Sequence, residues 1–231
     1  MRMRQLIARP DCVAVCALVI TLLAVPNLLG QDTNLRATVF GGGSFLKAEH
    51  AFLVGGEGFR TKFASGDKFG FRVTGDVDKH LALEGTYSYG TNNLRVIDLE
   101  APITERAFGV RVHQLTGNLL YFFNEPLEKL RPFVTAGVGY ARFNPTGDAR
   151  AQAVATEFIE GPAALSASNK GVFNVGAGVE GKLSDTWGFR LDARDYMTGT
   201  PRFGLPSPLF PASGVAHSLE LSVGLVYHFK H

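Results

Sequence analysis

Cysteine is nearly absent from this chain of 231 residues: only Cys12 and Cys16 occur. From residue 31 onward there is no thiol, which excludes a disulfide framework and a cysteine-built zinc site. An excess of one charge is lacking as well. The formal net charge is +2, and setting aside residues 1–30 removes three of the 23 basic and one of the 21 acidic residues, leaving equal numbers. A neutral chain offers no electrostatic footprint for nucleic acid, which is not expected as a partner. Long apolar runs are missing too. Beyond residue 30 no stretch reaches the roughly 18 to 20 residues that a membrane helix needs, and apolar residues rarely recur at helical spacing.

The first thirty residues have a different character. Arg2, Arg4 and Arg9 precede the uncharged stretch Cys12–Val25, which closes at Pro26-Asn27. A positive head, a short apolar run and a polar exit are the parts of a secretory signal. A signal peptide is therefore expected over 1–30, cut after Gly30, with residues 31–231 forming a single β-barrel domain.

What the remaining chain has in abundance is alternation with period two, the mark of strands with one apolar and one polar face. Leu219, Leu221, Val223, Leu225, Tyr227 and Phe229 share one face of the last segment, opposite Ser218, Glu220, Ser222, Gly224 and His228. The same rule gives Trp187, Phe189, Leu191 and Ala193 against Arg190, Asp192 and Arg194, preceded by Phe173–Val179 against Asn174–Glu180. Upstream come Val134–Tyr140, Leu115–Phe123, Leu81–Tyr89, Phe69–Val73 and Leu35–Gly41. With a strand around Phe108–Gln114 joined to Leu115 onward, eight strands are expected. Phe108, Val110 and Val112 are out of phase with Leu115, so a bulge is expected near His113–Gln114. Short turns near 76–79, 124–131 and 184–186 alternate with long loops near 47–68, 91–105, 144–170 and 197–216, the pattern of an outer-membrane barrel.

The stretches Asn118-Leu119-Leu120-Tyr121-Phe122, Arg131–Tyr140, Gly171–Leu183 and Leu225-Val226-Tyr227-His228-Phe229, in this order and spacing, resemble the small eight-stranded outer-membrane proteins similar to the OmpA transmembrane domain and to opacity-type surface barrels. The resemblance covers about residues 32–229. It implies an all-β, antiparallel, up-and-down transmembrane barrel in the outer membrane of a Gram-negative-type bacterium. It also implies a terminal aromatic strand, here Leu225, Tyr227 and Phe229, read by the barrel-assembly machinery after delivery by periplasmic chaperones. Lys230 and His231 follow, a departure from ending on the aromatic. No peptidoglycan-binding domain is expected after the barrel.

Two patterns favour the membrane over a soluble lipid-binding barrel. Aromatics gather at strand ends: Tyr121, Phe123, Phe133, Trp187, Phe189, Tyr227 and Phe229 toward the turns, and Phe45, Phe69, Tyr87, Tyr89, Phe108, Tyr140, Phe173 and Tyr196 toward the loops. Rings at two levels are what the two bilayer interfaces favour. Arg72, Glu84, Glu180, Arg190, Asp192, Arg194 and Glu220 sit in mid-strand on the other face, where burial demands pairing. Reflection about the turns pairs Arg72 with Glu84 and Glu180 with Arg190. Gly137, Gly139, Gly176 and Gly178 leave room for the arginines.

A lumen filled by these ion pairs, in a barrel with interior for little more than side chains, points to a structural or surface-contact role through the loops. A narrow ion or small-solute pore, a soluble periplasmic lipid-binding barrel and an enzyme acting on lipid A are the other readings. His217-Ser218 with Asp195 has the residue types of a hydrolase, but neighbours on a strand face opposite ways. No catalytic, cofactor or metal residue is expected. Partners are outer-membrane lipids and lipopolysaccharide, with Arg95, Arg106, Arg142, Arg150 and Lys170 at the outer rim, and an unidentified extracellular ligand bound by a monomer.

Overall fold

The protein is represented by a computed structural model that describes residues 34–47, 49–54, 57–98, 105–126, 128–150, 165–201, 203 and 214–229. The expected signal peptide and much of the long connections near 144–170 and 197–216 lie outside these residues. Ten strands form one antiparallel sheet: β1 (Leu35–Lys47), β2 (Glu49–Val54), β3 (Glu57–Ala64), β4 (Gly66–Asp76), β5 (Leu81–Asp98), β6 (Glu105–Phe122), β7 (Leu130–Pro145), β8 (Ser168–Lys182), β9 (Trp187–Gly199) and β10 (Val215–His228). Their order is β2-β3-β5-β4-β1-β10-β9-β8-β7-β6, and the β5–β6 pairing closes the ring.

Ten strands make eight staves. β3 and β4 both run antiparallel to β5, while β1 pairs with β4 and β2 with β3, so β1 and β2 share one direction and β3 and β4 the other. The expected loop at 47–68 is therefore mostly hairpin. A bulge does occur, but at Ser65: between Lys68↔Gly90 and Ala64↔Asn93, four steps on the β3–β4 stave oppose three on β5. The expected bulge near His113–Gln114 is absent. β6 keeps one register against β5 from Ile97↔Glu105 to Leu81↔Tyr121, and one against β7 from Val110↔Pro145 to Phe122↔Phe133. Phe108, Val110 and Val112 change phase because they face inward, not because the strand slips.

The side-chain distribution is inverted relative to a water-soluble barrel. Val39 is 70% exposed and Val138 65%, whereas Arg72 and Arg190 are 1% and 0%. Oily side chains therefore cover the outside and ionised ones fill the inside, which overturns the soluble lipid-binding reading. From Phe229 to Leu219 the outer face of β10 is apolar over ten residue steps; at roughly 3.3 Å per step and a tilt of about 40° this is about 25 Å, the height of a membrane belt. The belt ends toward the long connections at outward polar residues: Asp67 on β4, Thr91 on β5, His113 and Arg111 on β6, Arg142 on β7, Asp195 on β9 and His217 on β10.

Candidate functional site

Because successive strand residues face opposite walls, every second residue of each stave enters the lumen, and the charged ones meet there. At the short-turn end Arg36 of β1 bridges Asp76 at 2.8 Å and Glu180 at 3.0 Å, and Arg131 of β7 approaches Asp76 at 3.6 Å. In the middle Arg190 reaches Glu84 at 2.7 Å and Asp192 at 2.6 Å, and Arg194 reaches the same two carboxylates at 2.8 and 3.0 Å. Arg72 continues the chain to Asp192 at 3.1 Å and Glu220 at 2.9 Å, and Lys68 closes it on Glu220 at 2.6 Å. All seven residues expected in the luminal network are in it.

Further hydrogen bonds to neutral side chains knit the network together. Thr74, Thr86 and Asn118 donate to Glu84 at 3.1 to 3.3 Å, Arg72 donates to Ser222, and Asn174 donates to Asn118 at 2.9 Å. Such satisfaction is what makes buried charge tolerable. Aromatic rings cap five of the six cations: Phe40 lies 3.7 Å from the Arg72 guanidinium, Phe133 lies 4.3 Å from that of Arg190, Phe122 packs under Arg131 and Arg36 at 4.0 and 5.3 Å, and Tyr196 sits 3.9 Å from the Lys68 ammonium. A desolvated cation on a ring face gains about 2 kcal/mol.

The pairing expected from the turns is half right. Glu180↔Arg190 are cross-strand neighbours, although their charged atoms stand 3.9 Å apart and Arg190 bonds more closely to Glu84 and Asp192. Arg72 lies opposite Thr86, and Glu84 opposite Thr74. The β4–β5 hairpin folds about Lys79 instead of Asp78, which moves each partner two residues on. Glycine makes room as expected, but for neighbours on the wall: a side chain at Gly176 would strike Arg194 of adjacent β9, and one at Gly178 would strike the Phe133 ring.

Three aromatics leave the girdle. Phe133 is buried and packs on Phe122 at 5.3 Å, because it is out of phase with Val134, Ala136 and Val138. Tyr196 and Phe108 also point inward. Tyr87, Tyr89, Tyr121, Phe123, Tyr140, Trp187, Phe189, Tyr227 and Phe229 stand on the outer face. The terminal Leu225, Tyr227 and Phe229 face outward, with Tyr227 edge-on to Trp187 and to Phe229 at 5.1 Å each.

Above the charges the lumen turns apolar. Val110, Ala141, Phe143, Val172, Tyr196 and Phe203 form a buried cluster with Phe108, Val112 and Leu165 against it. Phe203 comes from the connection between β9 and β10, has φ of 50°, and its carbonyl accepts from the Ser166 amide at 2.9 Å, so two connections meet over the mouth. Between this cluster and Lys68 is a cavity of about 30 Å³, lined by Lys68, Gln114, Phe143 and Tyr196; that is on the scale of one water.

The hydrolase-like residues separate. His217 Nδ1 meets Asp195 at 2.7 Å on the outer face, while Ser218 turns inward and shares a hydrogen bond with Ser44 at 2.9 Å. Among the described residues no group of three or more metal-ligating side chains occurs. Sequence reasoning missed Arg36, Lys68, Asp76 and Arg131 as network members and Phe40, Phe122, Phe133 and Tyr196 as ring partners of the luminal cations. Their signal was present, since each keeps the inward phase of its strand.

A closed eight-stave barrel with an oily outer belt and a charged, filled interior is an integral outer-membrane β-barrel. The chain belongs to the outer membrane protein β-barrel domain family, whose model matches residues 15–229. No curated protein sequence matches it. Among solved structures it is similar to the solid-state NMR structure of outer membrane protein AlkL in lipid bilayers, at 18% identity and a TM-score of 0.52, over 87% of this chain and 93% of that one. It is also similar to outer membrane protein OprG from Pseudomonas aeruginosa, at 14% identity, a TM-score of 0.49 and 86% and 96% coverage. Neisserial surface protein A matches at 14% identity, a TM-score of 0.48 and 85% and 97% coverage.

Proposed function

We propose that the protein is a plugged outer-membrane anchor that presents a β-stranded surface for contact outside the cell. The observation that carries this reading is that the wall does not stop where the belt stops. β5 runs on from Thr91 to Asp98, pairs there with β3 on one side and β6 on the other, and β2 pairs with β3 in turn. Eight further residues at roughly 3.3 Å per step and a tilt of about 40° carry this four-stranded extension about 20 Å past the belt. An extended sheet on a rigid barrel is a platform for recognition, as loops and hairpins on fixed scaffolds commonly are.

The test compares cells that display the intact chain with cells in which residues 49–64 are replaced by a short turn. Retention on protein-coated and polysaccharide-coated surfaces, together with cell–cell aggregation, is the readout. Contact through the extension predicts that the shortened chain loses at least one of these while still giving a heat-modifiable gel shift. Equal behaviour of both chains overturns the reading.

The narrow-pore alternative is decided in planar bilayers. A lumen filled from Arg131 to Phe203 predicts no stable single-channel steps from the refolded protein. Reproducible steps would replace the anchor with a pore.

A further inference from the structure

The rim of the belt is not uniform around the barrel, and one sector is strongly basic. The registers of β5, β6 and β7 place Tyr87, Leu115 and Tyr140 in one outward row, Tyr89, His113 and Arg142 in the next, and Thr91, Arg111 and Asn144 in the row above. Neighbours across antiparallel strands have Cβ atoms about 5 Å apart. Arg142 therefore lies directly across from His113 and Arg111 lies next above His113 on the same strand, the two arginines diagonal to each other on one wall, over Tyr87 and Tyr140 at the belt edge. None of these outward residues is acidic, nor are Asn169 and Gly171, which follow on β8. Among the described residues, the carboxylates at this level lie on other staves: Asp67 on β4, beyond β5, and Asp195 on β9, held by His217.

The sector is ordered from below and from the side. Tyr87 Oη and His113 Nδ1 share a hydrogen bond at 2.9 Å, Tyr89 packs edge-on to the His113 ring at 5.0 Å, and Phe69 and Phe71 back the two tyrosines at 5.2 and 5.6 Å. Arg142 Nε donates to Asn144 Oδ1 at 3.2 Å, which fixes the direction of its guanidinium. Arg95 stands exposed two rows higher on β5.

We propose that Arg111 and Arg142, with His113 beside both, bind the phosphate of a phosphorylated lipid in the outer leaflet. The belt edge is the depth at which lipid headgroups begin, and the tyrosine rings beneath offer the acyl region an apolar face. Two planar guanidinium forks match phosphate geometry, where they form charge-assisted hydrogen bonds. This site rests on the membrane placement alone and not on the surface-contact reading, so the failure of either leaves the other standing.

The experiment uses the full chain in nanodiscs of phosphatidylcholine containing either diphosphoryl lipid A or its dephosphorylated form, with bound lipid counted by native mass spectrometry after stepwise dilution. Wild type retains the phosphorylated lipid preferentially. Arg111→Gln with Arg142→Gln lowers its retention about tenfold, Arg111→Lys with Arg142→Lys restores part of it, and Lys79→Gln at the opposite rim changes nothing. Inorganic phosphate at millimolar concentration does not displace it, which separates a lipid site from a free-anion site. Equal retention by the wild type and the double glutamine variant, at unchanged gel mobility, overturns the proposal. So does displacement by inorganic phosphate.

Discussion

Arg190 on β9 and Glu84 on β5 lie on opposite walls of the barrel and meet at 2.7 Å across its axis. The contact ties together staves separated by 106 residues, and Arg194 doubles it at 2.8 Å. Glu84→Gln removes the charge that both guanidinium groups share while keeping the shape of the side chain. Stranding a buried charge costs about 3–5 kcal/mol. The urea midpoint in lipid vesicles is expected to fall accordingly, together with the temperature of the gel shift. An unchanged midpoint would mean that the network is dispensable.

Phe133→Ala separates the luminal role of this ring from the girdle role. Losing a buried ring is expected to cost about 3–5 kcal/mol, with a further contribution from the exposed cation face of Arg190. Phe123→Ala, on the lipid face, is expected to cost less and to depend on bilayer thickness. Equal costs that shift together with thickness would return Phe133 to the girdle.

The alternation, the stave count and the seven charged residues in mid-strand were legible in the sequence because a period of two is imposed locally by the pleat. Glu180↔Arg190 was legible because a short turn fixes its own register. What lay beyond reach is set by closure. An eight-stave meander sets β5 across from β9 but not the height at which their side chains meet, so the partners of Glu84 could not be read. The phase change at Phe108–Val112 mimics a bulge, since inward apolar residues and a slipped strand give the same pattern. Phe133 was placed outward by its proximity to the turn, although parity with Val134 already turned it in.

Position in the belt sets the cost of a new charge. Val223→Arg, at mid-belt on β10, is expected to destabilise the barrel by about 2–4 kcal/mol, and Thr91→Arg at the rim by less than about 1 kcal/mol. The difference is read from the unfolding midpoints of the two variants. Similar costs would contradict the belt boundaries given above.

Salt distinguishes buried from solvated ion pairs. At 1 M the screening length is about 3 Å, yet ions cannot enter a lumen whose charges are at most a few per cent exposed. Among the described residues, the pairs that meet solvent are Lys79–Glu125, Lys182–Asp185 and His217–Asp195, all at the rims. The unfolding midpoint is expected to stay within a few tenths of a kcal/mol between 0.05 and 1 M sodium chloride. A large fall would show that water and ions penetrate the plug.

The seam between β1 and β10 joins the first stave to the last, from Arg36↔His228 to Lys47↔His217. Until those final residues arrive, β1 carries an unguarded row of backbone donors and acceptors, and an open edge invites pairing with other chains. In water the side chains give no help, because collapse would bury the charges that belong inside the ring beside the oil that belongs outside it. The chain must therefore travel unfolded and be sealed in the bilayer, its most distant ends meeting as it closes.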